Sequence, residues 1–426
     1  MAISPLVQWE VRPGIGLATN GGGFRAGATG VDLSQSDTGN NYIDLVITNA
    51  VLSLMSSAAT PFTANDVGNV IYIQSVGIPA AIAGYYEIVS VDAFNVATLD
   101  RNAAVAGTVA EHGTVGGALE SLEDLVVTVV GGNTVWIKNT GTNDLLTGAR
   151  TFPNGNISYP ITYEGYNVVR GDLGAENWNA SHYPDGWLTT TGYPVVNGQA
   201  FNQAFGNFSV LKCLSLASGC VTTAYASGGN LHLWRVKIDS TGNGAGAFGY
   251  ACGQRNSIVD SDFVMSGAVT SYCIVVSATL TPIYGCRFTG TGNGINPNVG
   301  GIIVGCLFKD FTTAGSSAIK HTVTGNLCVL NSTFYNCVSC ITLSAGSTTS
   351  HCVLVNNYMV NCTNGVVSLN AMDILKVAYN NRMANTVNYS GWTENSGIGD
   401  VLGAYSAGEF VDAANGDFHL SPKSPG

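Results

Sequence analysis

One short apolar phrase is written four times over in the second half of the chain: IVDSDF from Ile258, IYGCRF from Ile283, IVGCLF from Ile303 and VLNSTF from Val329. Each ends in Phe and carries Ser or Cys two places before it. Aligning on the last apolar residue extends the series to Leu216, Ile238, Phe263, Phe288, Phe308, Phe334, Met359 and Met383, in steps of 22, 25, 25, 20, 26, 25 and 24 residues. A second register runs through Ile274, Ile319, Ile341 and Val366. A fixed period of this length marks a solenoid, in which each repeat buries its apolar side only against its neighbours. The segments are too short and too rich in Val, Ile, Thr and Phe for helical repeats, and Gly and Asn interrupt them. Each period is therefore expected to hold at least two short strands that stack on their counterparts at about 4.8 Å per coil.

Strand alternation places the anchor residue and the residue two before it on one side, the inside of the coil. Phe263, Phe288, Phe308 and Phe334 are then expected to form an axial aromatic column. Ser261, Cys286, Cys306, Ser332, Asn357 and Asn381 form a second column of small residues, whose polar atoms can bond to backbone at the bends and to one another. The rhythm starts earlier, with NTVWIKNTG from Asn133, ISYPITYEGY from Ile157 and GWLTTTGYPVV from Gly186. About eleven coils between residues 118 and 385 are expected.

Three further stretches carry a resemblance. QWEVRP and TNGGGF near the start, then GGALESLEDLVVTVVGGNTVWIKNTG from Gly116, read as a strand, a glycine-rich bend, an amphipathic cap and a strand. The chain closes on GDFHLSPKSPG. Together with the coil period these resemble the right-handed parallel β-helix, or pectate-lyase-like, superfamily, and most closely its phage virion and tailspike proteins. Between Phe24 and Gly116 the pattern is interrupted by a segment with β character of its own; its DVGNVIYI resembles a phrase of small β-domains on virion proteins. The organisation expected is thus a strand and bend at residues 1–24, an inserted β-barrel or sandwich at 25–115, the β-helix at 116–385, and a C-terminal cap segment at 386–426. A fold of this kind hosts many activities, so function has to come from particular residues.

Composition excludes several classes. The chain is 46% hydrophobic but only 10% charged, against about 25% charged in an average globular domain. Residues 201–380 hold eight Lys and Arg and five Asp, with no Glu. No basic stripe exists to neutralise phosphates, so nucleic acid is not an expected partner. No apolar run reaches the ~18 residues of a spanning helix, and the opening MAISPLVQWEV lacks the basic and apolar regions of an export signal. The eleven cysteines all fall between Cys213 and Cys362. Cys337 and Cys340 form a lone C-x-x-C without a second pair, so they are expected to be reduced core thiols, and no metal or cofactor is expected.

The resemblance implies polysaccharide as the substrate class where a member is an enzyme, with Asp, Glu and Arg on the outward faces of neighbouring coils. The best candidates are Asp260 and Asp262, which alternate with Ser261 and so should face outward. Lys237 lies one coil below and Arg287 one coil above. Such carboxylates can act as an acid and base pair, but the same four residues also make a self-neutralising surface ladder. The reading favoured from sequence is a non-enzymatic structural or adhesive protein on the surface of a tailed-phage virion, assembled in the host cytoplasm. The resemblance further implies a homotrimer docked to capsid or tail proteins through its N-terminal part, with host polysaccharide as a ligand. The alternative is a tailspike depolymerase using Asp260 and Asp262.

Overall fold

The computed structural model describes residues 3–74, 81–105, 108–175, 192–198, 203–217, 223–227, 229–241, 248–253, 255–266, 270–277, 281–322, 325–344, 351–369, 376–391, 398–406, 408–413 and 417–422. Cys220, Asp373, residues 186–191 of the GWLTTTGYPVV stretch, and residue 416 and residues 423–426 of the closing phrase lie outside them.

The chain winds into a parallel β-helix whose three sheets contain twelve, eleven and ten strands. Strands of the first sheet include Val7–Val11, Thr134–Lys138, Ile161–Tyr166, Ser209–Lys212 and Leu231–Trp234. Those of the second include Lys237–Asp239, Asp262–Met265 and Arg287–Gly290. Those of the third include Tyr272–Val276 and Asn293–Pro297.

The periodic anchors pair residue for residue. Leu216, Ile238, Phe263, Phe288, Phe308, Phe334, Met359 and Met383 are successive partners along the second sheet. Ile274, Ile295, Ile319, Ile341 and Val366 do the same in the third. The four Phe rings stack at centroid distances of 5.0, 4.8 and 4.8 Å with interplanar angles of 10°, 10° and 6°. All four are at most 1% exposed. The small-residue column lies at the bend between the first and second sheets and bonds upward along the axis. Ser261 Oγ accepts from Val236 N at 3.1 Å, Ser332 Oγ from Cys306 N at 3.2 Å, Asn357 Oδ1 from Ser332 N at 3.0 Å, and Asn381 Oδ1 from Asn357 N at 3.0 Å. None of the ten described cysteines is in a disulfide, and nine of them are buried.

The segment Asn40–Val115 closes into a six-stranded antiparallel barrel with its own core, in which Tyr42 stacks on Phe62 at 4.5 Å. The chain leaves the β-helix after Gly23–Arg25, an antiparallel strand at the edge of the first sheet, and returns at Gly116–Gly117 beside the bend that precedes that strand: Gly21 N bonds Gly116 O at 2.8 Å, and Gly22 N bonds Gly117 O at 2.9 Å. Glycine is required here. A Cβ on Gly21 would lie 1.9 Å from Val70 O, and Gly22 adopts φ +74°, a region costly for residues with a Cβ. The barrel docks on the coil end through Trp9 and Tyr85, edge to face at 5.6 Å, and through Arg25 Nε and Glu87 at 2.7 Å.

The amphipathic cap is a single 3-10 turn, Leu122–Leu125, whose two Leu residues close the N-terminal end of the core. Ser121 caps the turn, and its Oγ also donates to Asp144 Oδ1 at 2.6 Å, while Leu122 N donates to Oδ2 at 2.9 Å. At the far end the hairpin Phe410–Asp412 and Asp417–Leu420 folds back along the outside of the second sheet. There Phe410 and Phe418 cover Leu307, Val360 and Ala384.

Two predictions follow from the packing. Phe308→Ala leaves a void in a rigid stack and should cost about 3–5 kcal/mol; Phe308→Asp should abolish cooperative unfolding seen by circular dichroism, because a charge would be buried without a partner. Asp144 is the second case: burial pushes its carboxyl up to about 6, against the lowering bonds from Ser121 and Leu122. The folded state therefore binds the proton more tightly than the unfolded chain, so stability should fall as pH rises from about 4 to 6, by on the order of 3 kcal/mol. Asp144→Asn should flatten that part of a stability-against-pH curve.

Candidate functional site

Asp260 does not sit on a strand. It occupies the bend, at φ +47°, in a column of left-handed residues with Arg235 at +55°, Gly285 at +61°, Gly305 at +63° and Asn331 at +49°. Each of these donates its backbone N–H to the carbonyl of the next coil, as Asp260 N does to Tyr284 O at 2.9 Å. The strict alternation that would have pointed Asp260 outward beside Asp262 is broken by this turn of backbone. Asp260 is half-buried, and burial raises its carboxyl pKa while the Arg235 charge opposes the rise.

Asp262 opens the strand Asp262–Met265 but is only 2% exposed. It stacks between Lys237 and Arg287 in register. Both of its oxygens accept from the Arg287 guanidinium, from Nε at 3.0 Å and from Nη2 at 2.6 Å. Lys237 Nζ turns instead to Asp239 at 3.3 Å. A carboxylate locked in a two-point pair with arginine is a poor base or nucleophile. The four residues are thus brought into neighbouring coils, but Asp260 and Asp262 face different surroundings and do not form an acid pair. Farther along, Lys309 and Asp310 pair with each other at 3.8 Å, and His321 is buried with its pKa lowered by that burial.

The richer surface is the outward face of the first sheet. Glu10, Trp136, Glu164, Lys212 and Trp234 are consecutive register partners, one per coil. Lys212 Nζ reaches Glu164 Oε2 at 3.4 Å and lies 5.5 Å from the Trp234 ring centre. Trp136 Nε1 donates to Gln8 Oε1 at 3.2 Å, and the Arg170 guanidinium stands 5.9 Å from its ring. Trp136 and Trp234 are half-buried, and His232, bonded to Ser257 at 2.5 Å, and Tyr284 continue the face as exposed side chains. Behind its lower end, the fully buried Glu10 accepts from Arg12 Nε at 3.0 Å, from Arg170 Nη2 at 2.7 Å and from the Tyr166 hydroxyl. Arg170 goes on to Asp32 at 3.0 Å, and Arg12 to Asp37 at 2.7 Å, so one network ties the coil to the segment that leads into the barrel.

Sequence periodicity missed this face because its coils are uneven: the steps from Trp136 to Glu164, Lys212 and Trp234 are 28, 48 and 22 residues. The one available signal was the pair of tryptophans, in TVWIK and in LHLW. Among the described residues no group of three or more His, Cys, Asp or Glu is placed to hold a metal, and no helix is long and apolar enough to cross a membrane.

No family model matches the chain, and no curated protein matches it. Among solved structures it is similar to the pectate lyase Pel9A, at 13% identity and TM-score 0.35, over 73% of this chain and 85% of that one. It is also similar to a GH136 lacto-N-biosidase from Eubacterium ramulus, at 9% identity and TM-score 0.32, over 68% of this chain and 65% of that one. A third is the catalytic unit of a GH87 α-1,3-glucanase from Streptomyces thermodiastaticus, at 8% identity and TM-score 0.24, over 90% of both chains.

The Asp262–Arg287 pair yields a direct test. Arg287→Ala strands a buried carboxylate and should destabilise the protein by on the order of 3 kcal/mol. The double variant D262N/R287Q should recover more than half of that loss in a denaturant midpoint.

Proposed function

We propose that this chain captures polysaccharide along the outward face of the first sheet and serves as an adhesive surface protein. The observation that carries the reading is the in-register column Trp136–Glu164–Lys212–Trp234. Tryptophan rings offer an apolar face to the C–H side of a sugar, while the half-buried Lys212 ammonium between them, held by the buried Glu164, offers a donor to its hydroxyls. The surface repeats along the rod every ~4.8 Å, as a linear polymer of sugars does, and solenoids characteristically bind ligands along such extended faces. A virion home and a trimeric assembly belong to the same proposal. The barrel packed on the N-terminal end of the rod supports it, since it leaves the sides of the coils for the ligand.

A second reading is cleavage of such a chain, the kind of activity named for the three structures compared above. Its support here is Asp260, a half-buried carboxyl with a raised pKa beside Arg235, one residue from the outward-facing Val259.

Affinity electrophoresis of the full chain through gels containing bacterial capsular polysaccharides and polygalacturonate tests both. The double variant W136A/W234A should bind about tenfold more weakly or worse; unchanged retardation sinks the proposal. A fall in viscosity of the same polysaccharides with wild type, absent with Asp260→Asn, would establish cleavage as the function in place of simple capture. Light scattering is expected to give three times the 44.1 kDa chain mass; a monomer at micromolar concentration would count against the spike.

A further inference from the structure

Where the barrel meets the N-terminal end of the rod, the seam opens into a cleft of about 640 Å³, lined among others by Tyr72, Tyr85, Arg101, Asp124, Val127 and Thr128. We propose that this cleft is a second saccharide site, separate from the first-sheet face and built jointly by the two parts of the molecule. Its size falls in the ~300–1,000 Å³ range of ligand pockets, and such sites favour domain interfaces.

The chemistry of the walls selects the ligand. Tyr72 and Tyr85 form a tilted ring pair with centroids 4.8 Å apart, and Tyr85 is held from behind by the edge-to-face contact with Trp9 at 5.6 Å. That gives a fixed apolar platform with two phenol groups on the same side of the seam. Arg101 is fixed as well: it pairs with Asp100 at 2.6 Å, donates to Tyr85 O and covers the Tyr86 ring at 4.3 Å. Asp124 accepts from Ser121 N at 3.1 Å through Oδ2. Burial raises its pKa, against the backbone bond from Ser121, and Glu120 and Glu123 add to the rise. A ring platform bordered by a carboxylate, a guanidinium and the Thr128 hydroxyl complements a pyranose, with one C–H face and a rim of hydroxyls that both donate and accept. The site needs no residue of the Trp136–Trp234 column.

The test uses the full chain and three probes, cellohexaose, chitohexaose and hexagalacturonate, in saturation-transfer NMR and titration calorimetry. At least one probe is expected to bind wild type and to lose tenfold or more in affinity with Tyr72→Ala and with Asp124→Asn, while Tyr72→Phe and W136A/W234A keep it. Loss in W136A/W234A alone would overturn the cleft and leave the first-sheet reading standing. Loss in the Tyr72 and Asp124 variants alone supports the cleft, and leaves the first-sheet reading to the gel experiment on polysaccharides. Equal binding by Tyr72→Ala and wild type, or no binding of any probe by any chain, would overturn the inference.

Discussion

The structure depends on vertical register. Parallel strands one coil apart exchange backbone hydrogen bonds at a fixed rise, so each side chain must sit over its equivalent in the coil below. A column can then hold only residues of compatible size and polarity. The second-sheet anchors show the consequence: four Phe rings follow one another nearly parallel at 4.8–5.0 Å, a separation imposed by the backbone rather than chosen by the rings. Leu216 and Ile238 flank the rings on one side and Met359 and Met383 on the other, where a flexible or branched chain can adapt to a ring.

This constraint explains what could be read from sequence. Columns inside the coil announce themselves as a period, and the anchors from Leu216 to Met383 were legible for that reason. The bends were not, because period-two reasoning assumes unbroken strand and fails where the backbone turns left-handed. Asp260 was placed outward by counting two from Asp262, yet its φ of +47° sets it in the bend. A signal was present: Gly285, Gly305, Asn331, Asn356 and Asn380 hold the same position in later coils, and Gly and Asn are the residues that tolerate this conformation. In that column Cys213 and Arg235 are the exceptions, since Asp also tolerates the left-handed region. Asp262 was legible only in part. Its stacking between Lys237 and Arg287 was visible from spacing, but its burial and the loss of Lys237 to Asp239 depend on side-chain choices that spacing does not fix.

The barrel was legible as an interruption, and its tolerance has a geometric cause. Its two ends leave and re-enter the coil side by side, bonded Gly21 to Gly116 and Gly22 to Gly117. Inserting a folded unit between adjacent points costs the host little, because the coil keeps its register on both sides. What sequence could not show is that the insertion is stapled in place. Trp9 lies on the rod and Tyr85 on the barrel, and Arg170 links Glu10 of the first coil to Asp32 of the connecting segment. Glu10 at the centre of the network is fully buried, Asp37 at its edge is exposed, and each of its charges has an opposite partner. Removal of one member would leave a charge without compensation, which fixes the orientation of the two parts.

Regularity and recognition therefore occupy different places. Along the C-terminal half, the outward side of the second sheet is covered by the folded-back hairpin around Phe410 and Phe418, and its charges at Arg382 and Glu409 are spent on each other at 2.6 Å. Toward the N-terminal half the inner columns stay regular while the outer ones diversify into Trp136, Glu164, Lys212 and Trp234, with the Tyr72–Tyr85 cleft just beyond the first coil. The same rule that forbids variety inside the coil permits it outside, since an outward residue answers to solvent and ligand rather than to a stack. The seam goes further, because two surfaces with different periods meet there and neither can fill the space between them. A cleft is the expected result of that mismatch, and the tyrosines, aspartate and arginine that line it give the mismatch a chemistry.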